Sequence, residues 1–215
     1  MNTGLSSAAY WEARYGGGGT SGSGSRGRLL TCKAALVNGL IADNAIRSVL
    51  DLGCGDGELA ALLAAPAYVG LDVSPTAVAR CAARFAGRPH MRFLTVDRAA
   101  EAPQAELTLS LDVMFHLVED AAFATHLALL FGRTHRFVLI YSSNAEQGWP
   151  SPHVRHRRFT ETVATTQPDW RLLAHLPNPY PFDPARPDET SFADFFLYGR
   201  SGRADGGCTV RAPVA

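Results

Sequence analysis

The glycine-rich run from Asp51 to Gly57, which reads DLGCGDG, is the segment whose residue types most directly suggest chemistry. It overlaps the end of an apolar stretch, residues 48–52, that predicts a buried strand. Glycines let the backbone turn sharply and let a ligand approach where any Cβ would collide. In open α/β sheets, ligands bind beyond the carboxyl ends of the strands. A cofactor site is therefore expected at this turn.

Acidic residues beside the turn indicate which kind of cofactor it would hold. A dinucleotide fingerprint needs glycine or alanine three positions after its second glycine, whereas here that position is Glu58. Asp56 and Glu58 would repel a pyrophosphate, but they are favourable at a helix N-terminus and suit a cofactor that carries an amine and a sulfonium. The sequence therefore disfavours NAD.

Three further aspartates end other predicted strands. Asp72 closes YVGLD, where its carboxylate can accept hydrogen bonds from both hydroxyls of a ribose. Asp97 closes FLTVD, where it can accept from an exocyclic adenine amine. Asp112 closes LTLSLD and would stand beside the end of the cofactor that carries the amine and the sulfonium. A solvated loop carboxylate is the alternative for Asp72 and a plain turn former for Asp97.

Alternating strand and helix patterns predict the elements that position these residues. An amphipathic helix with apolar positions from Leu29 to Ile41 precedes the first strand and is expected to end near Asp43 and Asn44. Two late strands have a proline-rich stretch and no helix between them, so they predict a terminal antiparallel pair. The pattern as a whole predicts an α/β fold with a mostly parallel, helix-covered sheet. The predicted strands are 48–52, 68–71, 91–96, 107–111, 137–141, 170–176 and 192–198, and the predicted helices after the first strand are 58–64, 74–85 and 120–131.

The two ends of the chain are expected to lie outside this sheet. Residues 8–15, AAYWEARY, predict a short helix that either closes over a ligand or packs on the core. The run from Gly16 to Gly27 favours a flexible or tightly turning backbone that separates this helix from the core. The expected organisation is an N-terminal segment at 1–45, a core at 46–200 and a flexible tail at 201–215.

Composition limits the classes of function. The 215 residues, 47% of them hydrophobic, can bury one substantial core. Twenty basic and twenty acidic residues cancel, which removes the long-range positive field of a general nucleic-acid binder. The four scattered cysteines form neither a metal-ligand pair nor a disulfide framework, so no metal is expected. Because the sequence shows neither a leader nor an apolar run of membrane-spanning length, the protein is expected to be cytoplasmic. A monomer or a homodimer is expected.

The motifs VLDLGCGDG, YVGLDVS, LTVD and LSLDVMFHL, in this order, resemble those of the class I, seven-stranded S-adenosylmethionine-dependent methyltransferases. The resemblance spans roughly Tyr10 to Tyr198. It implies a Rossmann-like sheet with strand order 3-2-1-4-5-7-6, an antiparallel seventh strand and helices on both faces. It also implies an enzyme of the EC 2.1.1 class, with S-adenosyl-L-methionine as cofactor and S-adenosyl-L-homocysteine as product.

The resemblance further implies roles for individual residues. Asp51 would support the loop and the cofactor amine, Gly53 and Gly55 would face the methionine moiety, and Asp72 would bind the ribose. Asp97 with Arg98 would hold the adenine, and the N-terminal YWEARY resembles a segment that covers the cofactor in many relatives. The residues expected to contact the cofactor are Trp11, Arg14, Tyr15, Asp51, Gly53, Cys54, Gly55, Asp72, Val73, Asp97, Arg98, Asp112 and Val113.

Methyl transfer is an in-line displacement at an activated sulfonium, so the protein mainly orients the acceptor and excludes water. An oxygen acceptor also benefits from a base. His116, just after the fourth predicted strand, is the first catalytic candidate because histidine titrates near neutral pH, and Asp112 is the second. The alternative is that His116 only packs or caps the following turn.

The sequence HVRHRR, residues 153–158, is a concentrated basic cluster in a neutral chain. Arginine presents a planar fork that matches carboxylate or phosphate, so the cluster is expected to clamp an anionic acceptor, with a solvated basic loop as the alternative. Hydroxyl and amide groups that end the fifth strand can orient a polar acceptor. The residues expected to bind substrate are Tyr141, Asn144, His153, Arg155, His156 and Arg157.

The expected function is methyl transfer to an oxygen or nitrogen of a small, polar, anionic molecule. An RNA (tRNA or rRNA) methyltransferase and a non-catalytic cofactor-binding partner subunit are the alternatives. Nucleic acid is disfavoured because the residues outside the core are a glycine run and a short tail rather than a basic or stacking module. A non-catalytic subunit would be expected to lose parts of its cofactor loop, which is intact here.

Overall fold

A computed structural model of the chain describes residues 6–201 and 208–213. One seven-stranded sheet has the order β3-β2-β1-β4-β5-β7-β6. The first five strands pair in parallel, and β7 runs antiparallel to both of its neighbours. This confirms the sheet expected from the sequence. The strands are β1 Ser48–Leu52, β2 Ala67–Asp72, β3 Met91–Thr95, β4 Ala105–Leu111, β5 Thr134–Ser142, β6 Trp170–Leu176 and β7 Asp194–Arg200.

The helices agree with the sequence patterns, with one addition. The eight-residue helix α6, Phe159–Thr166, was not predicted, because its four threonines are weak helix formers and hide the apolar spacing of Phe159 and Val163. No helix among the described residues is long and apolar enough to cross a membrane. The others are α1 Ser7–Gly16, α2 Gly27–Asp43, α3 Glu58–Leu62, α4 Pro75–Arg84 and α5 Asp120–Gly132, with short 3-10 turns at Ser23–Ser25, Val96–Glu101 and Met114–His116.

Apolar side chains form one cluster on each face of the sheet. Leu107 and Leu109 of β4 belong to the cluster that α2 and α4 cover. On the opposite face, the hydroxyls of Thr108 and Ser110 bond to the Leu130 carbonyl and to the ring of His126 on α5. Helices therefore cover both faces, and the alternation along β4 keeps its polar groups hydrogen-bonded within the core.

The turn between β1 and α3 is fixed to the end of β2. The amides of Gly53 and Cys54 both donate to the Leu71 carbonyl, at 2.7 and 3.0 Å. Gly53 and Gly55 have φ values of 98° and 55°, in the left-handed region that favours glycine. The backbone of the turn is thus held in one shape before any ligand is considered.

The glycine run from Gly16 to Gly27 does not separate α1 from the core, so that expectation is wrong. Ser21 donates its amide to the carboxylate of Asp56, and Arg26 forms an ion pair with the same carboxylate at 2.7 Å. These side-chain bonds to the β1–α3 turn hold a segment whose composition alone favours mobility. The glycines of this segment allow its backbone to turn tightly where it passes over the β1–α3 turn.

The C-terminal tail also departs from expectation where the structure describes it. Thr209 exchanges two hydrogen bonds with Asn44, and Arg211 forms an ion pair with Asp43 at 2.9 Å. Residues 208–213 therefore contact the C-terminal end of α2, whose last carbonyls and carboxylate offer acceptors. The remainder of the predicted flexible tail, 202–207 and 214–215, and residues 1–5 of the N-terminal segment lie outside the described residues.

Replacing Gly57 by alanine tests how strictly the turn is fixed. Gly57 has φ +78°, and a Cβ there would lie 2.8 Å from the ring of Phe85 and 2.9 Å from the sulfur of Cys81. Left-handed strain and overpacking should together lower the free energy of unfolding by about 2–4 kcal/mol, measured by urea denaturation.

Gly39→Ala is the matched control. Gly39 lies inside α2, and a Cβ there would meet no atom within 4 Å. Alanine should raise stability by about 0.5–1 kcal/mol. Equal effects of the two substitutions would show that the turn is not constrained as described.

Candidate active site

A cavity of about 320 Å³ lies at the carboxyl edge of the sheet, over the ends of β1, β2 and β4. Residues from α1, α2 and α5 complete its wall. The position agrees with the edge predicted from the sequence. The predicted cofactor residues that line it are Trp11, Tyr15, Asp51, Gly53, Cys54, Gly55, Asp72, Val73, Asp112 and Val113.

Asp72 joins the glycine turn to the start of α4. Its two carboxylate oxygens accept hydrogen bonds from the amides of Gly55 and Ser74, both at 2.9 Å. Burial raises the pKa of this carboxyl, and the amide bonds partly offset the rise. The carboxylate lines the cavity and keeps free lone pairs, so it can accept from ligand hydroxyls. A ribose contact stays a prediction.

Asp51, at the end of β1, is a buried carboxyl in the same wall. Its Oδ2 accepts a hydrogen bond from the Tyr68 hydroxyl at 2.8 Å. Burial raises its pKa to about 6, the tyrosine bond lowers it, and the charge of Asp72 raises it. A cation beside Asp51 would favour its charged form, which fits the predicted contact with an amine.

Cys54 and Val113 shape the cavity without offering reactive groups. A Cβ at Gly53 would collide with Val113, so the turn and the segment after β4 pack directly together. The hydrogen bond with Cys81, followed by burial, raises the pKa of the Cys54 thiol well above its usual value. Cys54 is therefore a neutral thiol and not a nucleophile.

Helix α1 covers the cavity and is attached at its N-terminal end and near its middle. Ser7 bonds to the Glu119 carboxylate through its amide and its hydroxyl. Glu12 accepts hydrogen bonds from the hydroxyls of Ser74 and Thr76, at 2.5 and 2.6 Å. Between them, Trp11 reaches the cavity. Residues 8–15 were expected either to close over a ligand or to pack on the core, and the helix that they form covers the site.

Arg14 does not line the cavity, contrary to prediction. Its Nε donates to the Thr20 carbonyl at 2.6 Å, and its guanidinium lies 5.8 Å from the Trp11 ring. The neighbouring positions behave differently, since helical spacing places Trp11 and Tyr15 one turn apart on the inner face. Arg14 closes the turn that follows α1 instead.

His116 lies in the cavity wall with a defined tautomer. Its Nδ1 donates to the His153 carbonyl at 3.1 Å, which leaves the Nε2 lone pair free of any partner among the described residues. Burial lowers its pKa to about 4; the His153 carbonyl bond and Asp112 raise it, whereas the His153 ring and Arg14 lower it. The expected titration near neutral pH is therefore wrong, and His116 is neutral at pH 7.

Neither Asp97 nor Arg98 lines the cavity. Both lie in the 3-10 turn Val96–Glu101 and are exposed, and Arg98 pairs with Glu101 at 2.7 Å. Val96 is the residue of this turn that reaches the wall. The structure therefore does not support the predicted contact of Asp97 and Arg98 with an adenine, because neither side chain is part of the cavity wall.

The basic cluster at 153–158 is not an open anion site. Arg157 donates to the carbonyls of Leu117 and Val118 and forms an ion pair with Asp120 at 3.1 Å. Arg155 bonds to the same Val118 carbonyl and the same carboxylate. Both guanidiniums therefore hold the segment between β4 and α5, and neither lines the cavity.

The other predicted substrate residues also have structural partners. Asn144 bonds to the amide and the hydroxyl of Thr160 in the first turn of α6. His156 is buried and bonds to Ser143 at 2.6 Å. Tyr141 is buried in β5, and His153 stacks between Tyr10 and His116 at ring distances of 4.6 and 5.5 Å. None of these four side chains lines the cavity.

Lys33 is the principal site residue that the sequence analysis missed. Its ammonium forms an ion pair with Asp112 and donates to the Gly24 carbonyl at 2.8 Å. The side chain is 4% exposed, and it lines the cavity. A signal was available, because Lys33 occupies the apolar face of a helix, where a charge needs a partner.

Comparisons with known proteins agree with this geometry. Residues 49–133 match a family model described as a methyltransferase domain. A comparison with curated proteins found no match. Among solved structures, the chain is similar to the N-methyltransferase NodS from Bradyrhizobium japonicum WM9 in complex with S-adenosyl-L-homocysteine. The identity is 13%, the TM-score is 0.65, and the match covers 91% of this chain and 98% of that one.

Two further solved structures have the same fold at a similarly low sequence identity. Magnesium protoporphyrin IX methyltransferase (ChlM) from Synechocystis PCC 6803 with bound SAM is 16% identical, with a TM-score of 0.63, and the match covers 94% of this chain and 100% of that one. The methyltransferase domain of bacterial CtHen1 is 16% identical, with a TM-score of 0.59 and coverage of 80% and 98%.

The sheet order and the solved structures show one fold, the seven-stranded fold of these methyltransferases. Within it, residues 49–133 match a methyltransferase domain.

Arg157→Ala tests whether the basic cluster is structural. Its side chain is 10% exposed and holds two carbonyls and Asp120, so removal should lower the free energy of unfolding by about 2–3 kcal/mol in urea denaturation. Arg158→Ala, at a side chain that is 61% exposed, should change it by less than about 0.5 kcal/mol. Similar small effects at both positions would contradict the structural role.

Proposed function

We propose that this chain is an S-adenosylmethionine-dependent methyltransferase that acts on an oxygen or nitrogen of a small polar molecule. The observation that carries the proposal is the cavity itself: the constrained glycine turn, two buried aspartates and a neutral histidine line the same space. Each group lies at a strand end or in the turn that follows one, which is where α/β sheets of this kind bind ligands.

The residues present fit the cofactor. Glycines bring the backbone of the turn to the cavity wall, where Gly55 would otherwise place a Cβ against Ser21 and the Tyr15 hydroxyl. Asp51 would hold the amine of the methionine moiety, and Asp72 would accept from the ribose. The neighbouring structures with bound SAM or S-adenosyl-L-homocysteine support S-adenosylmethionine as the cofactor. When bound, it supplies a methyl group activated on a sulfonium.

His116 is suited to hold a proton that the acceptor releases. Its Nε2 presents a lone pair in the cavity wall, and the His153 carbonyl fixes the tautomer. A pKa of about 4 makes it a weak base. A weak base suffices because a hydroxyl that has gained a methyl group and still carries its proton is a strong acid. His116 therefore orients the acceptor by a hydrogen bond and then takes its proton.

The charges of the cavity wall argue against the anionic acceptor expected from the sequence. Among the described wall residues, Lys33 is the one lysine or arginine, and its charge is already paired with Asp112. A neutral hydroxyl or amine would avoid the unfavourable potential that an anion would meet. The wall carboxylates are Asp51, Asp56, Glu58, Asp72, Asp112 and Glu119.

Binding of S-adenosyl-L-homocysteine, measured by isothermal titration calorimetry, tests the proposal. Wild-type protein should bind it and should not bind NADH. Asp72→Ala should weaken binding at least tenfold, about 1.4 kcal/mol, because the ribose loses a buried acceptor. Asp188→Ala, at an exposed position outside the cavity, is the control and should bind as wild type does. Tight NADH binding without S-adenosyl-L-homocysteine binding would overturn the proposal.

The pH dependence of the same binding tests Asp51. Its raised pKa means that the folded protein holds a proton there at pH 5 and loses it by pH 7. Only the carboxylate attracts the amine, so affinity should rise about tenfold from pH 5 to pH 7. Asp51→Asn should bind more weakly at pH 7 and remove this dependence. A wild-type affinity that does not change with pH would show that Asp51 does not hold the amine.

A further inference from the structure

The Lys33–Asp112 ion pair is the part of the cavity wall to which the proposed cofactor contacts give no role. It joins α2 to the residue after β4, four positions before His116. Burying two charges costs free energy unless they are paired and hydrogen-bonded. An ion pair in the wall of a ligand cavity is therefore expected to have a role other than packing.

Two donors of the Lys33 ammonium have hydrogen-bond partners in the protein. One bonds to the Asp112 carboxylate and one to the Gly24 carbonyl at 2.8 Å, and the Tyr141 ring centroid lies 5.3 Å from the nitrogen. A cation over an aromatic face is attracted to it. The ammonium charge is thus shared with the groups that it holds, and Lys33 acts on the cavity through them.

Asp112 is fixed from three sides. Its φ is +59°, an unusual value for a residue other than glycine, and its amide donates to the Tyr141 carbonyl at 3.0 Å. A Cβ at Gly24 would lie 2.9 Å from Oδ2, so the 3-10 turn Ser23–Ser25 packs directly on the carboxylate. Lys33 therefore anchors both the carboxylate and the turn that covers it.

Several charged or titratable groups act on His116. Asp112 follows β4, Arg14 approaches from α1, and His153 approaches from the loop after β5 with its ring stacked on that of His116. Asp112 is the anion of this group. An unpaired carboxylate here would raise the pKa of His116.

We propose that Lys33 is a positioning residue for the methyl-transfer reaction: it holds the Asp112 carboxylate and the turn that packs on it, and it neutralises the Asp112 charge in the part of the cavity that His116 also lines. The inference rests on the proposed function. The Lys33–Asp112 pairing makes the polar end of the acceptor site electrically neutral. Such a site selects an acceptor that arrives as a neutral hydroxyl or amine rather than as an anion.

The test is an NMR titration of the His116 ring, whose Hε1 resonance is identified by its loss in His116→Gln. Lys33→Gln keeps donors for Gly24 and Asp112 but removes the charge, so the pKa of His116 should rise by roughly one unit. Lys33→Arg keeps the charge and should leave the titration within about 0.3 units of wild type. An unchanged titration in folded Lys33→Gln would overturn the proposal.

The double variant Lys33→Gln with Asp112→Asn separates charge from structure. If Lys33 acts by neutralising Asp112, the double variant should lose the rise, because no unpaired carboxylate remains. If the loss of Lys33 merely opens the site to water, the rise should persist, and the proposal fails. Should Lys33→Gln not fold, Asp112→Asn alone must lower the pKa of His116 below its wild-type value for the proposal to stand.

Calorimetry on the same variants keeps the two proposals distinguishable. Binding of S-adenosyl-L-homocysteine tests the methyltransferase function, whereas the titration tests the charge balance around His116. Failure to bind with the expected titration would remove the proposed function and leave the Lys33–Asp112–His116 coupling in place. Normal binding with an unchanged titration would remove only the role of Lys33.

Discussion

The carboxylate of Asp72 is the group on which the rest of the site depends. It accepts from the amides of Gly55 and Ser74, and so it fixes the β1–α3 turn and the start of α4 to the end of β2. Hydrogen bonds from backbone amides to a buried carboxylate are strong, because the acceptor is charged and water is excluded. The glycine turn can pass close to a ligand only because its shape is set in this way.

The cover of the cavity depends on the same frame. Ser74, placed by Asp72, bonds to Glu12 of α1, and Asp56 of the turn holds Ser21 and Arg26. The N-terminal segment is therefore fixed by the turn and the start of α4 that it covers. A ligand that contacts the turn will also affect the position of the cover, since both share these bonds.

Much of the fold could be predicted from the sequence, because strand patterns, the Ser74 cap and the glycine turn are local signals. The site was predicted only in part. The arginines at 155 and 157 have the composition of an anion clamp, but their carbonyl partners lie about 40 residues away, a separation that local patterns do not reveal. Lys33 was hidden for a related reason: its partner Asp112 comes from a distant strand end. The unexpected neutrality of His116 arises from burial, which composition does not specify.

A crystal structure of the protein with bound S-adenosyl-L-homocysteine is the decisive measurement. We expect the ribose hydroxyls to bind Asp72, the amine to lie near Asp51, and the sulfur to face the part of the cavity that His116 and Asp112 line. Ligand bound outside this cavity, or with its ribose away from Asp72, would show that these strand ends do not form the cofactor site.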